Sequence, residues 1–421
     1  MAPFFISLYT MDKDIKIFAK TIEQSALDQI NTLLGTGIFD GSKIRIMPDC
    51  HSGAGCVIGF TAELKDKVVP CLIGVDIGCS IRVIELPERP DSKLLQDIIV
   101  NYIPSGQKVR EDWINVKPSY RKYRKLTSDL VEKLYCKDQL RNIGRLADSV
   151  GSLGAGNHYL EVDYSEKFDK YYLTIHTGSR NLGKQVAEYY QNLAIKIHSG
   201  NTKEDLKKEQ EQLVKDYKAQ GREKELKGAI KRLKEEFKKR CPDIPKDLCW
   251  LEGEDLENYL HDMKLCQEFA VLNRELIGLI ITDKLKMTPG ETFETVHNYI
   301  NFKDRIMRKG AISCREGEKV IIPMNMRDGS LICIGKGNPD WNFSGPHGAG
   351  RLMSRTAAKQ NLSLEEFKDS MAGIDTWSVS ESTIDEAPQA YKPMEEIIEQ
   401  VKDTVDIIDI IKPVYNFKAS E

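Results

Sequence analysis

The chain has 421 residues, 41% of them hydrophobic, and 61 Lys and Arg against 64 Asp and Glu give a formal net charge of −3. That is enough apolar material for one large or two ordinary globular domains, and it excludes a protein that holds nucleic acid through net charge alone, so any RNA or DNA contact must come from a local basic surface. No apolar run approaches the roughly 18 residues of a membrane helix. The ten cysteines have no Cys-x-x-Cys pairs, and Met1–Thr10 lacks the basic start and apolar stretch of a secretory signal, which reads as a cytoplasmic protein with reduced thiols.

Between Lys43 and Leu86, β-rich runs alternate with glycine and proline. Ile44–Pro48, Cys56–Phe60, Val68–Val75 and Ile81–Leu86 are expected as short buried strands, with Asp49, His51, Asp76 and Cys79 on the turns between them. Residues 92–150 are more polar and helical in character. Strand character returns at Tyr159–Val162 and Tyr171–Ile175, just before His176. After the Thr177–Gly183 loop, Gln185–Ile197 has helical periodicity, which places that loop's N–H groups at a helix N-terminus, a favourable anion site.

Residues 203–240 hold 14 Lys and Arg against 9 Asp and Glu with few apolar positions, the pattern of a charged helical hairpin inserted into the body and a secondary RNA contact at most. A long helix is expected from Leu256 to Lys286, ended by Met287-Thr288-Pro289-Gly290, then a strand from Phe293 to Phe302 carrying His297. Lys319–Pro323 and Ser330–Ile334 flank a polar turn as a hairpin does, and helix returns at Ser354–Gln360. Gly and Pro are spread throughout, so the fold class expected is α+β: a single large domain over 1–421, mixed sheets flanked by helices, with 203–240 as a helical insertion.

The chemistry collects in glycine-rich turns. Asp76 and Cys79 share Val75-Asp76-Ile77-Gly78-Cys79, His158 follows Gly154-Ala155-Gly156-Asn157, His176 opens His176-Thr177-Gly178-Ser179-Arg180, and His297 precedes Asn298. A carboxylate and a thiolate three residues apart on one tight loop can reach a common metal, with histidines from other elements completing its shell. The thiolate can also bridge two ions, and zinc, manganese and iron all suit this ligand set. His347, in Gly345-Pro346-His347-Gly348-Ala349-Gly350-Arg351, is accessible enough to attack a phosphoryl group, with Arg351 and nearby N–H groups to hold phosphate oxygens. Arg180 is similarly suited to bidentate phosphate contact. His198 and His261 lie in helical, charged surroundings and read as hydrogen-bonded structural residues. Cys50, Cys56, Cys71, Cys266 and Cys333 read as packing residues, and Asp49 and His51 as support for the site.

Taken in order, these motifs resemble the RtcB family of RNA ligases. The resemblance runs from Met47-Pro48-Asp49 through the Asp76, His158, His176, His297 and Arg308-Lys309-Gly310-Ala311 segments to the His347 loop and Asp385-Glu386-Ala387-Pro388-Gln389-Ala390-Tyr391-Lys392. It implies that Asp76, Cys79, His158, His176 and His297 bind two manganese ions with Cys79 as the bridge, and that His347 is guanylylated by GTP. It implies a guanylate pocket of Asn157, His158, Glu161, His297, Asn298, Pro323, Met324, Asn325, Met326, Ser330, His347, Gly348, Ala349, Gly350, Tyr391 and Lys418, and phosphate contacts to RNA from Arg180 and Arg351. The implied partner is RNA with a 3′-phosphate or 2′,3′-cyclic phosphate end and a 5′-hydroxyl end, with room for an activating protein and no membrane. The pocket turn departs from the family's usual Pro-Gly-Ser-Met-Gly-Thr, reading Pro323-Met324-Asn325-Met326-Arg327-Asp328. Ala311-Ile312-Ser313-Cys314 stands where Ala-Thr-Arg-Ala is common, and Ser80 follows Cys79 where glycine is common. Two other readings use the same residues: a metal-dependent RNA phosphoesterase in which His347 only binds phosphate, and an RNA-binding relative without turnover.

Overall fold

The computed structural model describes residues 14–199, 203–240 and 244–418; the reading made of Met1–Thr10 lies outside them. Two sheets carry the site. The larger runs in the order Lys319–Asn325, Gly329–Gly335, Val405–Lys418, Tyr159–Ser165, Lys170–Thr177, Ser80–Leu86 and Thr292–Val296, with Asp375–Thr376 added beside Val405–Lys418. Consecutive strands along that path are antiparallel. The sheet curls until its two edge strands meet, where the Ile321 N–H donates to Thr295 Oγ1 at 3.0 Å. Inside the curl, Ile81, Val83, Tyr159, Tyr172, Ile321, Ile332 and Ile411 pack together. Alternation of side chains along each strand puts these residues on one face.

The second sheet is ordered Ile15–Ile17, Ile44–His51, Ile58–Glu63, Ile306–Lys309, Asn298–Ile300. The expected Phe293–Phe302 strand is two strands in two different sheets, and His297 is the residue between them. Two further expectations are corrected. Asp49 and His51 lie within the Ile44–His51 strand and not on a turn. The Val68–Val75 run is strand only at Lys67–Val68, followed by a 3-10 turn over Pro70–Leu72, because Pro70 lacks the N–H that a ladder needs and fixes φ near −65°.

The Gly253–Leu285 helix is the core element. It buries residues around most of its circumference, among them Tyr259, Met263, Phe269, Asn273, Arg274, Ile277 and Ile281, as expected of a helix enclosed by other elements. Helices Ser92–Tyr102, Pro118–Glu132 and Ile143–Asp148 bear out the helical reading of 92–150. The helix after His176 starts at Arg180, five residues before the expected Gln185, and runs to Ser199. Helices Lys203–Ala219 and Leu226–Arg240 form the expected charged pair. Mixed helices and sheets make this an α+β fold, and no helix among the described residues is long and apolar enough to cross a membrane.

Candidate metal and nucleotide site

Four segments bring their donor atoms to one point. His176 is the last residue but one of the Lys170–Thr177 strand, His158 directly precedes its neighbour Tyr159–Ser165, Cys79 directly precedes Ser80–Leu86, and His297 follows Thr292–Val296. These are adjacent strands of the larger sheet, so their ends lie side by side. Cys79 Sγ is 3.3 Å from His176 Nε2 and 3.6 Å from His158 Nε2. His176 Nε2 is 3.3 Å from His297 Nε2, and His158 Nε2 is 2.8 Å from Asp76 Oδ2. Two triads result, Cys79–His176–His297 and Asp76–Cys79–His158, each with its ligand atoms within 4.8 Å of one another. Cys79 is the corner they share.

Arg274 holds this arrangement from behind. Its Nη1 donates to the carbonyls of Gly78 (3.0 Å) and Thr177 (2.8 Å), and its Nη2 pairs with Glu294 Oε2 at 3.1 Å. One buried guanidinium therefore ties the Asp76–Cys79 turn, the residue after His176 and the strand leading to His297. Asn273 beside it accepts from the N–H groups of Gly151 and Ser152 and donates to the Ser152 and Gly178 carbonyls. The imidazoles are oriented in turn: His158 Nδ1 donates to the Leu153 carbonyl at 3.0 Å and His176 Nδ1 to that of Asn157 at 3.2 Å. With Nδ1 so engaged, the Nε2 lone pairs face the shared point, the form a metal requires.

The electrostatics agree with that form. Burial holds the His176 and His297 imidazoles well below their ordinary pKa, with the neighbouring histidines adding to the effect, so both are neutral donors. Burial opposes ionisation of Asp76, but a proton on His158 Nε2 and the Arg180 charge outweigh it and hold the carboxyl at about 2, and a bound cation would take that proton's place. Burial, and after it the Asp76 carboxylate, push the Cys79 thiol well above its usual value, a state that a coordinated cation reverses. The donor set of one thiolate sulfur, three imidazoles and one carboxylate fits two divalent transition-metal ions.

His347 stands beside the triads, its ring centroid 5.1 Å from that of His297. It follows the Ser344–Pro346 strand, which pairs with Ala311–Ser313. Asp49 Oδ2 accepts from both His347 Nδ1 (2.6 Å) and the His347 backbone N–H (3.1 Å), which leaves Nε2 with the lone pair. Asp49 reaches it from an irregular stretch of strand: Ile46 pairs with Phe60 and His51 with Ile58, so five steps on one strand oppose two on the other. Such bulges re-aim side chains. Gly350, at φ +75°, lies so close that an added Cβ would stand 2.4 Å from the Asp49 carbonyl oxygen.

An open pocket of roughly 900 Å³, mouth included, extends from this point. Of the expected nucleotide residues, Asn157, Glu161, His297, Pro323, Met324, Asn325, Met326, His347, Gly348, Ala349, Gly350, Tyr391 and Lys418 line it. His158, Asn298 and Ser330 do not: His158 faces Asp76, the Asn298 side chain bridges the Asp76 carbonyl and the Gly310 N–H, and Ser330 is buried. Arg351 also lines the pocket, donating to Tyr391 Oη at 3.2 Å and the Asp385 carbonyl at 2.6 Å. Arg180 sits on the other side, packed so tightly over Gly154 that a Cβ there would stand 2.0 Å from its Nη1.

Several lining residues were missed from sequence: Glu386, Arg355 and Asn416. Glu386 binds Lys418, accepts from Tyr391 Oη at 2.8 Å and pairs with Arg355 at 2.5 Å; its place in the Asp385–Lys392 segment was the available signal. The turn between Asn325 and Asp328 closes on itself, with Asn325 Oδ1 accepting from the Arg327 and Asp328 N–H groups and Arg327 pairing with Asp328. His198 and His261 join neither triad, bonding to the Trp250 carbonyl and Asp262.

Residues 36–419 match the family profile described as tRNA-splicing ligase RtcB. The chain is 29% identical to the RNA-splicing ligase RtcB of Escherichia coli strain K12, an alignment covering 97% of this chain and 98% of that protein. It is 26% identical to the tRNA-splicing ligase RtcB of Thermococcus kodakarensis, with 91% and 87% covered, and 26% identical to that of Aeropyrum pernix, with 84% and 82% covered. With the profile spanning nearly its whole length, the chain belongs to the RtcB family.

Proposed function

We propose that this chain is a GTP- and manganese-dependent RNA ligase that joins a 3′-phosphate or 2′,3′-cyclic phosphate end to a 5′-hydroxyl end through a histidine–GMP intermediate. The observation that supports the reading most directly is the conjunction of two ligand triads sharing Cys79 with a histidine whose Nδ1 is held by Asp49 and whose Nε2 is left for chemistry. Asp76, Cys79, His158, His176 and His297 would hold two manganese ions, which when bound supply positive charge to the reacting phosphates. The 1–421 chain acts as one catalytic unit with 203–240 as an insertion, a division supported by the C-terminal Val405–Lys418 strand lying between Gly329–Gly335 and Tyr159–Ser165. A cytoplasmic setting is supported by the nine described cysteines, all of them free.

His347 Nε2 attacks the α-phosphorus of GTP, forming a P–N bond as pyrophosphate leaves, while Asp49 holds the Nδ1 proton and stabilises the positive charge that develops on the ring. The His347–GMP bond then breaks as an oxygen of the RNA 3′-phosphate attacks the same phosphorus, giving an activated RNA end. A cyclic end is first hydrolysed to the 3′-phosphate. The 5′-hydroxyl attacks the activated 3′-phosphorus and GMP departs, leaving a phosphodiester. Arg180 and Arg351 hold phosphate oxygens of the RNA, and the pocket residues from Asn157 to Lys418 receive the guanylate. Metal-free protein incubated with α-labelled GTP and manganese and run on a denaturing gel should retain label, and His347→Ala should not. Absence of label across several metals, with an RNA 3′-phosphate present, overturns the ligase reading in favour of metal-dependent phosphoester hydrolysis.

A further inference from the structure

Behind the nucleotide pocket lies a carboxyl group that the mechanism above does not use. The Tyr159–Ser165 strand turns Tyr159, Glu161 and Asp163 to one face. Across from them stand His176, Thr174 and Tyr172 on one neighbouring strand and Lys418 and Asn416 on the other. Glu161 lines the pocket and Asp163 lies one step deeper along the same face. Glu161 is 4% exposed and Asp163 0%, and their carboxyl groups are within hydrogen-bonding reach of each other. Asn416 Nδ2 donates to Glu161 Oε2 at 2.5 Å and Thr174 Oγ1 to Asp163 Oδ2 at 3.2 Å, while Asp163 Oδ1 and Asn416 Oδ1 are buried without a partner. Among the described residues neither carboxyl makes an ion pair, and Lys418, the cation on this face, is taken by Glu386.

Two buried carboxyls without a cation cannot both ionise, so the pair retains one proton between them. Burial raises both groups; the Asp163 carboxylate raises Glu161 further against the weaker pull of Asn416 and Lys418, while the hydrogen bonds from Glu161 and Thr174 lower Asp163, so the shared proton rests on Glu161. We propose that Asp163 is a positioning residue for base recognition: it takes the shared proton when a guanine base enters, so that Glu161 becomes the anion that accepts from the ring N–H and the exocyclic amine. The proton passes from the Glu161 carboxyl to the Asp163 carboxylate along the hydrogen bond joining them, with no proton released to solvent and no other bond changed. The assignment rests on the reading of this pocket as a guanylate site.

Discrimination between GTP and ITP, which differ only in the exocyclic amine, reads the Glu161 contact directly, and the titration of the phosphates cancels in the ratio. Native protein should prefer GTP by about tenfold or more, the scale of one hydrogen bond to a charged group, and Asp163→Asn, whose amide still donates to Glu161, should keep that preference. Asp163→Val removes the proton acceptor, so Glu161 can ionise only by releasing its proton to solvent, which burial opposes; the preference should fall below the native one at pH 7 and recover as the pH is raised. A preference in Asp163→Val equal to the native one at pH 7, or a loss that pH does not reverse, overturns the assignment. A native protein that does not prefer GTP to ITP instead overturns the guanylate reading on which it stands. Should the valine variant not fold, the native infrared difference spectrum on GTP binding decides: one carboxylic-acid band replaced by another supports the transfer, and no protonated-carboxyl signal refutes it.

Discussion

The hydrogen bond from His347 Nδ1 to Asp49 Oδ2, at 2.6 Å, gives the most discriminating test by substitution. Asp49→Ala deletes the acceptor for both the ring and the His347 backbone N–H, so the imidazole is free to rotate and to place its proton on Nε2. Removing the orienting carboxylate in a Ser-His-Asp triad lowers the rate by about 10⁴, and a similar dependence here predicts a fall of about 10³ to 10⁴ in the rate of label transfer from GTP, or about 4 to 5.5 kcal/mol. Asp49→Asn behaves differently. Both bonds are accepted by the same oxygen, so an amide carbonyl placed there preserves them, and only the negative charge facing the developing cation is lost; the expected fall is about 10². The assay is single-turnover labelling with α-labelled GTP at saturating manganese, on variants whose melting is checked, since emptying this fully buried position costs about 2 to 3 kcal/mol of stability. Labelling of Asp49→Ala within threefold of the native rate would refute the role given to Asp49.

Cys79→Ser should cut the manganese bound per chain by elemental analysis and abolish the metal-dependent rise in melting temperature, a stabilisation of about 2.7 kcal/mol at a hundredfold excess over Kd, because both triads lose their common corner; unchanged metal content would contradict the shared-corner geometry. Glu386 is held at about 2 by Lys418 and Arg355 against the opposing effect of burial. A folded-state value below the unfolded one means stability that is complete above roughly pH 4.5 and is lost as pH falls through about 2. Denaturant titrations from pH 6 to 2 should show this loss in native protein and a smaller one in Glu386→Gln, which starts less stable by about 3 kcal/mol with the buried Lys418 left without its carboxylate while Arg355 keeps Asp385. Gly350→Ala, with its Cβ driven against the Asp49 carbonyl at a positive φ, should destabilise by about 1 to 3 kcal/mol and slow GTP labelling, whereas unaltered labelling would show that the His347 loop tolerates the shift.

Much of the site was legible because its chemistry sits where strands end. Asp76, Cys79 and His158 occupy glycine-marked turns beside short apolar runs, His176 sits at the strand end just before such a turn, and adjacent strand ends converge in space. His297 is legible as a candidate ligand and joins one of the triads, but its setting between two sheets is not: the Phe293–Phe302 run has continuous strand character, and nothing in its alternation marks the passage from one sheet to another. Asp49 was read as support on a turn. It lies outside both ligand triads, and its contact with His347 depends on a bulge that arises from pairing across the sheet, which periodicity does not encode. Arg274 was invisible because it lies inside a long apolar helix and acts through partners 97 to 196 residues away. Glu386 and Arg355 were likewise hidden, since the pairing of Glu386 with Lys418 forms only when the last strand lies against the Tyr159–Ser165 strand.

The most direct test of the central claim is a chase. Protein carrying labelled GMP is freed of GTP and mixed with two RNA pieces, one bearing a 3′-phosphate and the other a 5′-hydroxyl. Label should leave His347 as joined RNA appears, passing through a guanylylated RNA end and ending as free GMP, one junction for each protein-bound label. Label that stays on the protein while RNA is joined, or that is released without a junction, would contradict that claim.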